Sequence, residues 1–159
     1  MIPFQTSFQT FATDFGIKGI LDATVTGLTV LDPTEKDESV LLLEEDDAFA
    51  VKVDWQWTGA ALCSVGGTWQ VALFIDDIDG VGPTSGQLGA TQNIPVVGCQ
   101  KNYTARFNIP ANTVKPGLYQ FVVSINHSPQ GLPLTKLTEN VGYAQSSPIK
   151  FTVTVAESN

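Results

Sequence analysis

The stretch Phe49-Ala50-Val51-Lys52-Val53-Asp54-Trp55-Gln56-Trp57 alternates large apolar side chains with smaller or polar ones. A period of two is that of an extended strand with one face buried. The same pattern returns at Trp69, Val71, Leu73 and Ile75, and at Tyr103, Ala105, Phe107 and Ile109. It returns again at Tyr119, Phe121, Val123 and Ile125, then at Ile149, Phe151, Val153 and Val155. Five segments with one polar face each predict sheets covered on a single side. Two more strands fit 20–31, broken near Gly27, and 92–98, where Pro95 indicates an edge. The apolar run Val40–Leu43 predicts an additional edge strand. Turn signals such as Asp32-Pro33, Gly66-Gly67, Asp79-Gly80 and Pro116-Gly117 separate these segments. About seven short strands without a long helix predict an all-β, antiparallel two-sheet sandwich.

The motif Pro116-Gly117-Leu118-Tyr119, where Gly-x-Tyr opens a strand after a turn, resembles the tyrosine corner of immunoglobulin-like sandwiches. The resemblance spans roughly residues 20–156 and concerns the fold. It implies that the Tyr119 hydroxyl ties back to backbone upstream, near Ala111–Val114. The chain departs from antibody domains where they carry an inter-sheet cysteine pair. Apolar residues stand there, near Val53 and Phe121.

Composition narrows the function. The chain has 159 residues, a hydrophobic share of 43% and a net charge of −8. That length and share suit one domain with a real core. The negative charge argues against nucleic-acid or anionic-membrane binding, and no apolar run is long enough to span a bilayer. The first residues hold no base before Lys18 and no apolar leader core, so as written the chain reads as cytoplasmic. It reads as extracellular if a leader has been removed.

In an antiparallel sandwich, alternate connections fall at opposite ends. One end collects the connections 32–47, 76–91 and 110–117; the other collects 58–68, 98–101 and 126–147. Cys63 and Cys99 then share an end, so a disulfide is geometrically allowed, two free thiols being the alternative. Acidic residues gather at the opposite end. Residues 1–79 hold 14 acids and 3 bases, and residues 80–159 hold 2 acids and 5 bases. Asp46 and Asp47 from one connection, with Asp76, Asp77 and Asp79 from another, are candidate ligands for Ca²⁺, which takes six to eight oxygens. The competing reading is a solvated acidic face without a cofactor.

Residues 1–19 are read as an N-terminal extension and 20–159 as the sandwich domain. Phe4, Phe8, Phe11 and Phe15 are spaced 4, 3 and 4 apart, which predicts four rings on one helical face. Such a face needs a surface, either its own domain or a neighbouring subunit. The connection 126–147 contains Leu132, Leu134, Leu137 and Tyr143, too apolar for a free linker. These eight residues are the candidate partner-binding set. Catalytic chemistry finds little support: His127 is the single histidine and is read as a solvated loop residue, and no nucleophile elbow is present. Trp55, Trp57 and Trp69 fit core packing better than a sugar-stacking platform. The expectation is a non-enzymatic structural or interaction module that docks on a protein, itself included, as a homo-oligomer, ring or filament. A Ca²⁺- or carbohydrate-binding module is the alternative.

Overall fold

The computed structural model describes residues 8–12, 14–17, 21–31, 42–60, 62–64, 66–78, 80, 84–128, 141–146 and 148–153. Among the described residues eleven strands run in chain order: β1 (Phe8–Ala12), β2 (Asp14–Ile17), β3 (Leu21–Leu31), β4 (Leu42–Glu44), β5 (Phe49–Thr58), β6 (Thr68–Asp77), β7 (Gly86–Pro95), β8 (Asn102–Ile109), β9 (Gly117–Ser128), β10 (Val141–Ser146) and β11 (Ile149–Thr152). One turn of 3-10 helix, Leu62–Ser64, lies between β5 and β6. Among the described residues no helix is long and apolar enough to cross a membrane.

The strands form two sheets. One is ordered β2-β3-β5-β8. In the other, β9 pairs with β6 along one edge and with β11 and then β10 along the other, while β7 lies outside β6. Beyond β10 and β11 lie β1 and β4, and the β11–β4 pair is parallel. The alternating residues of β5, β6, β8 and β9 point into the space between the sheets. Phe49, Val51, Val53, Trp55, Trp57, Trp69, Val71, Leu73, Ile75, Phe107, Phe121, Val123 and Ile125 are all buried. Each such side chain contributes about 1.5–3 kcal/mol when fully withdrawn from water. Phe49 packs on Phe121 and Phe151 with ring centroids 5.6 and 5.4 Å apart, joining the two layers.

Several elements differ from the expectation. Residues 8–12 and 14–17 are strands rather than helix: β1 pairs with β10 in one sheet and β2 pairs with β3 in the other. Open edges on both sheets offer complete backbone pairing, which Thr, Ser and Gln between the rings favour over a helix. β3 is continuous through Gly27, which sits at a register shift against β5 rather than at a break. β7 starts at Gly86, earlier than the 92–98 segment, and its edge position agrees with Pro95 at its end. β10 falls inside the stretch read as a long connection, so β9 and β10 are joined by residues 129–140. β11 ends at Thr152, and Val153 is 61% exposed rather than inward.

Candidate functional site

The two ends of the sandwich carry different chemistry. At one end the connections are tied to each other by hydrogen bonds. Asn112 N–H donates to Glu45 O (2.8 Å), and Lys115 N–H donates to Thr84 Oγ1 (3.0 Å). The Tyr119 hydroxyl, fully buried, donates to Lys115 O at 2.9 Å. The tyrosine corner is therefore present, with its acceptor Lys115 four residues upstream, next to the expected Ala111–Val114.

The acidic residues at this end split into separate groups. Glu44, Asp46 and Asp47 bring one carboxylate oxygen each within 4.8 Å of one another. The turn that does this is closed by Asp47 N–H donating to Glu44 O (3.0 Å) and by Glu44 N–H donating to Asp47 Oδ2 (2.9 Å). Glu44, on β4, is the member the sequence reading left out. Asp76 and Asp77 end β6 and do not join this cluster, and Asp79 lies outside the described residues. The reason is topological. The path β6–β9–β11–β4 separates the two groups by three strand spacings, roughly 14 Å, too far for one ion to bridge. Asp77 lies opposite Tyr119, and its Oδ1 is buried with no hydrogen-bond partner among the described residues.

The other end is braced covalently. Cys63, in the 3-10 turn, and Cys99, after β7, form a disulfide. Cys99 adopts φ +69°, and its N–H donates to Leu62 O (2.9 Å). Val96 N–H donates to Gly67 O (3.0 Å), a second tie between the same two connections. Beneath them lies an aromatic cluster. Trp57 and Trp69 have ring centroids 4.4 Å apart, and Trp55 stacks on Tyr103 at 5.8 Å. The Tyr103 hydroxyl accepts from Val97 N–H (3.1 Å) and donates to Val97 O (3.2 Å), fastening the connection to the cluster.

His127 completes the cluster from β9, against the expectation of a solvated loop residue. It is buried, 4.9 Å from the Trp57 ring and 5.4 Å from the Trp69 ring. Its Nε2 lies 2.8 Å from Gly66 O, and since a carbonyl only accepts, Nε2 carries the proton. Burial lowers its pKa from the ordinary 6.5, and the bond to Gly66 acts in the opposite direction. Trp55, Trp57 and Trp69 are each at most 2% exposed, so no indole face is presented to a sugar.

Of the candidate partner-binding residues, Phe4, Leu132, Leu134 and Leu137 lie outside the described residues. Phe8 and Phe11 lie on β1, Phe15 on β2 and Tyr143 on β10. The registers run from Phe8 beside Ser146 to Ile17 beside Leu21, so this backbone lies along the side of the sandwich and does not gather at one end. Tyr143 pairs with Ser124 within the sheet.

Two sheets with a buried tyrosine corner define an immunoglobulin-like β-sandwich. No family model and no curated protein matches the sequence. Among solved structures the chain is similar to the CARDB domain of a Pyrococcus furiosus protein, determined in complex with di-metal ions. That match has 12% identity and a TM-score of 0.50, covering 87% of this chain and 99% of that one. β-Glucosidases from Erythrobacter marinus (13% identity, TM-score 0.48) and Listeria innocua (12%, 0.47) match over 83% and 85% of this chain but only 16% of theirs. At these identities the likeness is one of fold.

Proposed function

We propose that this chain is a non-enzymatic interaction module that docks on a protein partner, further copies of itself included, through its disulfide-braced end. The observation that carries this reading is the bracing itself. The Cys63–Cys99 bond and the Trp55, Trp57, Trp69, Tyr103 and His127 cluster stiffen the end from which the connection 129–140 departs. A rigid platform under loops lowers the ordering cost of recognition. Val97 is 51% exposed beside the disulfide, and the sequence of the connection adds apolar Leu132, Leu134 and Leu137, which lie outside the described residues. The N-terminal phenylalanine segment serves by closing the sheet edges. Light scattering over a concentration series tests this on the full chain and on the Leu132→Ser, Leu134→Ser, Leu137→Ser variant. Concentration-dependent assembly, lost in the variant with thermal stability retained, is expected. A parent that stays monomeric throughout, or a variant that assembles equally well, sinks the self-docking form.

The carboxylate cluster favours a second reading, a divalent-cation module. Glu44, Asp46 and Asp47 form an all-oxygen donor set suited to Ca²⁺, and the similar CARDB domain was solved with di-metal ions. Added Ca²⁺ should raise the melting temperature by about 5 °C, an effect lost in Glu44→Gln/Asp46→Asn. An unchanged melt rejects it.

A further inference from the structure

The edge of the smaller sheet carries a second surface. β8 pairs with β5 in unbroken register from Asn102 to Ile109 and, among the described residues, has no strand on its other side. Trp57 N–H donates to Lys101 O (3.0 Å) in the same register, which fixes the phase of the ladder. Odd-numbered residues of β8 bond to β5, while Asn102, Thr104, Arg106 and Asn108 turn their N–H and C=O groups outward. Two of these outward carbonyls are met by side-chain amides. Gln92 Nε2 donates to Arg106 O (2.7 Å), and Gln100 Nε2 donates to Asn102 O (2.8 Å). They stand where the N–H groups of an added strand would stand.

The neighbouring edge strand is protected differently. On β7 the pairing jumps from Val71–Gln92 to Leu73–Leu88, so residues 89–91 bulge opposite Ala72, and the strand stops at Pro95. Bulges and proline are the usual guards of an edge. β8 has neither guard among its residues.

Charge selects the occupant. Lys52 and Arg106 lie directly opposite each other in the β5–β8 pairing, an arrangement unfavourable for like charges. Lys52 has Asp54 at 3.9 Å, and Arg106 Nε donates to Asn108 Oδ1 (3.0 Å), a neutral partner. Pairing β8 with β8 of a second copy would bring four cations onto one narrow face. A strand with carboxylates at alternate positions would instead set one beside Arg106, whose side-chain partner is neutral. We propose that the β8 edge takes up an extended acidic segment of a partner protein by antiparallel strand addition, displacing the Gln92 and Gln100 amides and placing a carboxylate beside Arg106. Backbone bonds would supply the affinity and Arg106 the selectivity.

The test is a fluorescence-anisotropy titration of the full chain with a labelled peptide of alternating valine and glutamate, against its valine–lysine counterpart. The glutamate peptide should bind and the lysine peptide should not. Arg106→Glu should weaken binding about tenfold. Thr104→Pro removes an outward N–H and the side-chain bond from Thr104 Oγ1 to Val53 O, leaves the backbone ladder to β5 in place, and should abolish binding. Gln92→Ala should tighten binding several-fold by clearing the edge. The idea fails if the glutamate peptide does not bind, or if Thr104→Pro binds it as well as the parent. It fails equally if Gln92→Ala leaves affinity unchanged, which would indicate surface attraction without strand addition. A parent dimer that Thr104→Pro converts to monomer would assign the edge to a second copy and overturn the proposal.

Discussion

The backbone N–H of Phe121 donates to the hydroxyl oxygen of Ser146 at 2.9 Å, and both residues are completely buried. Ser146 ends β10, just where β9 exchanges its pairing with β11 for pairing with β10. The hydroxyl satisfies a ladder position that neither strand reaches. Ser146→Ala leaves that N–H unsatisfied in an apolar interior and should cost about 1–3 kcal/mol. A urea denaturation curve with a lower midpoint and an unchanged slope checks it.

Tyr119 offers a similar experiment at the acidic end. Tyr119→Phe keeps the ring against Phe151, whose centroid lies 5.9 Å away, and deletes only the bond to Lys115 O. The expected loss is about 1 kcal/mol. Differential scanning calorimetry measures it, and no change would mean that the ring alone holds the corner.

The disulfide spans a sequence separation of 36. Chain-entropy arithmetic for a loop of that size gives about 4 kcal/mol. The Cys63→Ala/Cys99→Ala variant should unfold at correspondingly lower denaturant, and added reductant should affect the parent but not the variant. Gly98→Ala probes the same region by crowding, because an added Cβ would meet Cys63 O at 3.0 Å. It should destabilise the parent less than loss of the bridge does.

His127 sets a pH dependence whose direction follows from burial. Its folded-state pKa is lowered from 6.5, so the unfolded chain takes up the proton first as pH falls. Its contribution to stability is complete above about pH 6.5 and declines as pH drops below that value towards the folded pKa. Melting temperatures should therefore fall from pH 7 to pH 5.5. In His127→Gln, whose amide is able to donate to Gly66 O, that decline should flatten. An identical pH profile in both proteins would remove His127 from the account.

The sandwich was legible because its signal is local. A strand covered on one side must alternate, and Phe49 to Trp57 and Tyr119 to Ile125 do so, with buried Ala50 and outward Val122 as the exceptions. Sorting the connections by end also placed Cys63 beside Cys99, since antiparallel topology alone decides it. The misread parts depended on distant partners. Nothing within Phe8–Ile17 says that two sheet edges await it, and the helical spacing of its rings is a weaker force than those edges. β10 was hidden because Val141-Gly-Tyr-Ala-Gln-Ser146 owes its pairing to β9 rather than to its own pattern. His127 looked like a loop residue because β9 runs on to Ser128. Glu44 joins Asp46 and Asp47 through a turn whose hydrogen bonds no composition count reveals.

Among the described residues β9 is the longest strand, flanked by β6 on one side and by β10 and β11 on the other. Its central amides have no private route to solvent, since opening either flank dismantles the layer that covers the other. Deuterium should enter Val123 and Ile125 only when the entire molecule comes apart, making that strand the slowest clock in the protein.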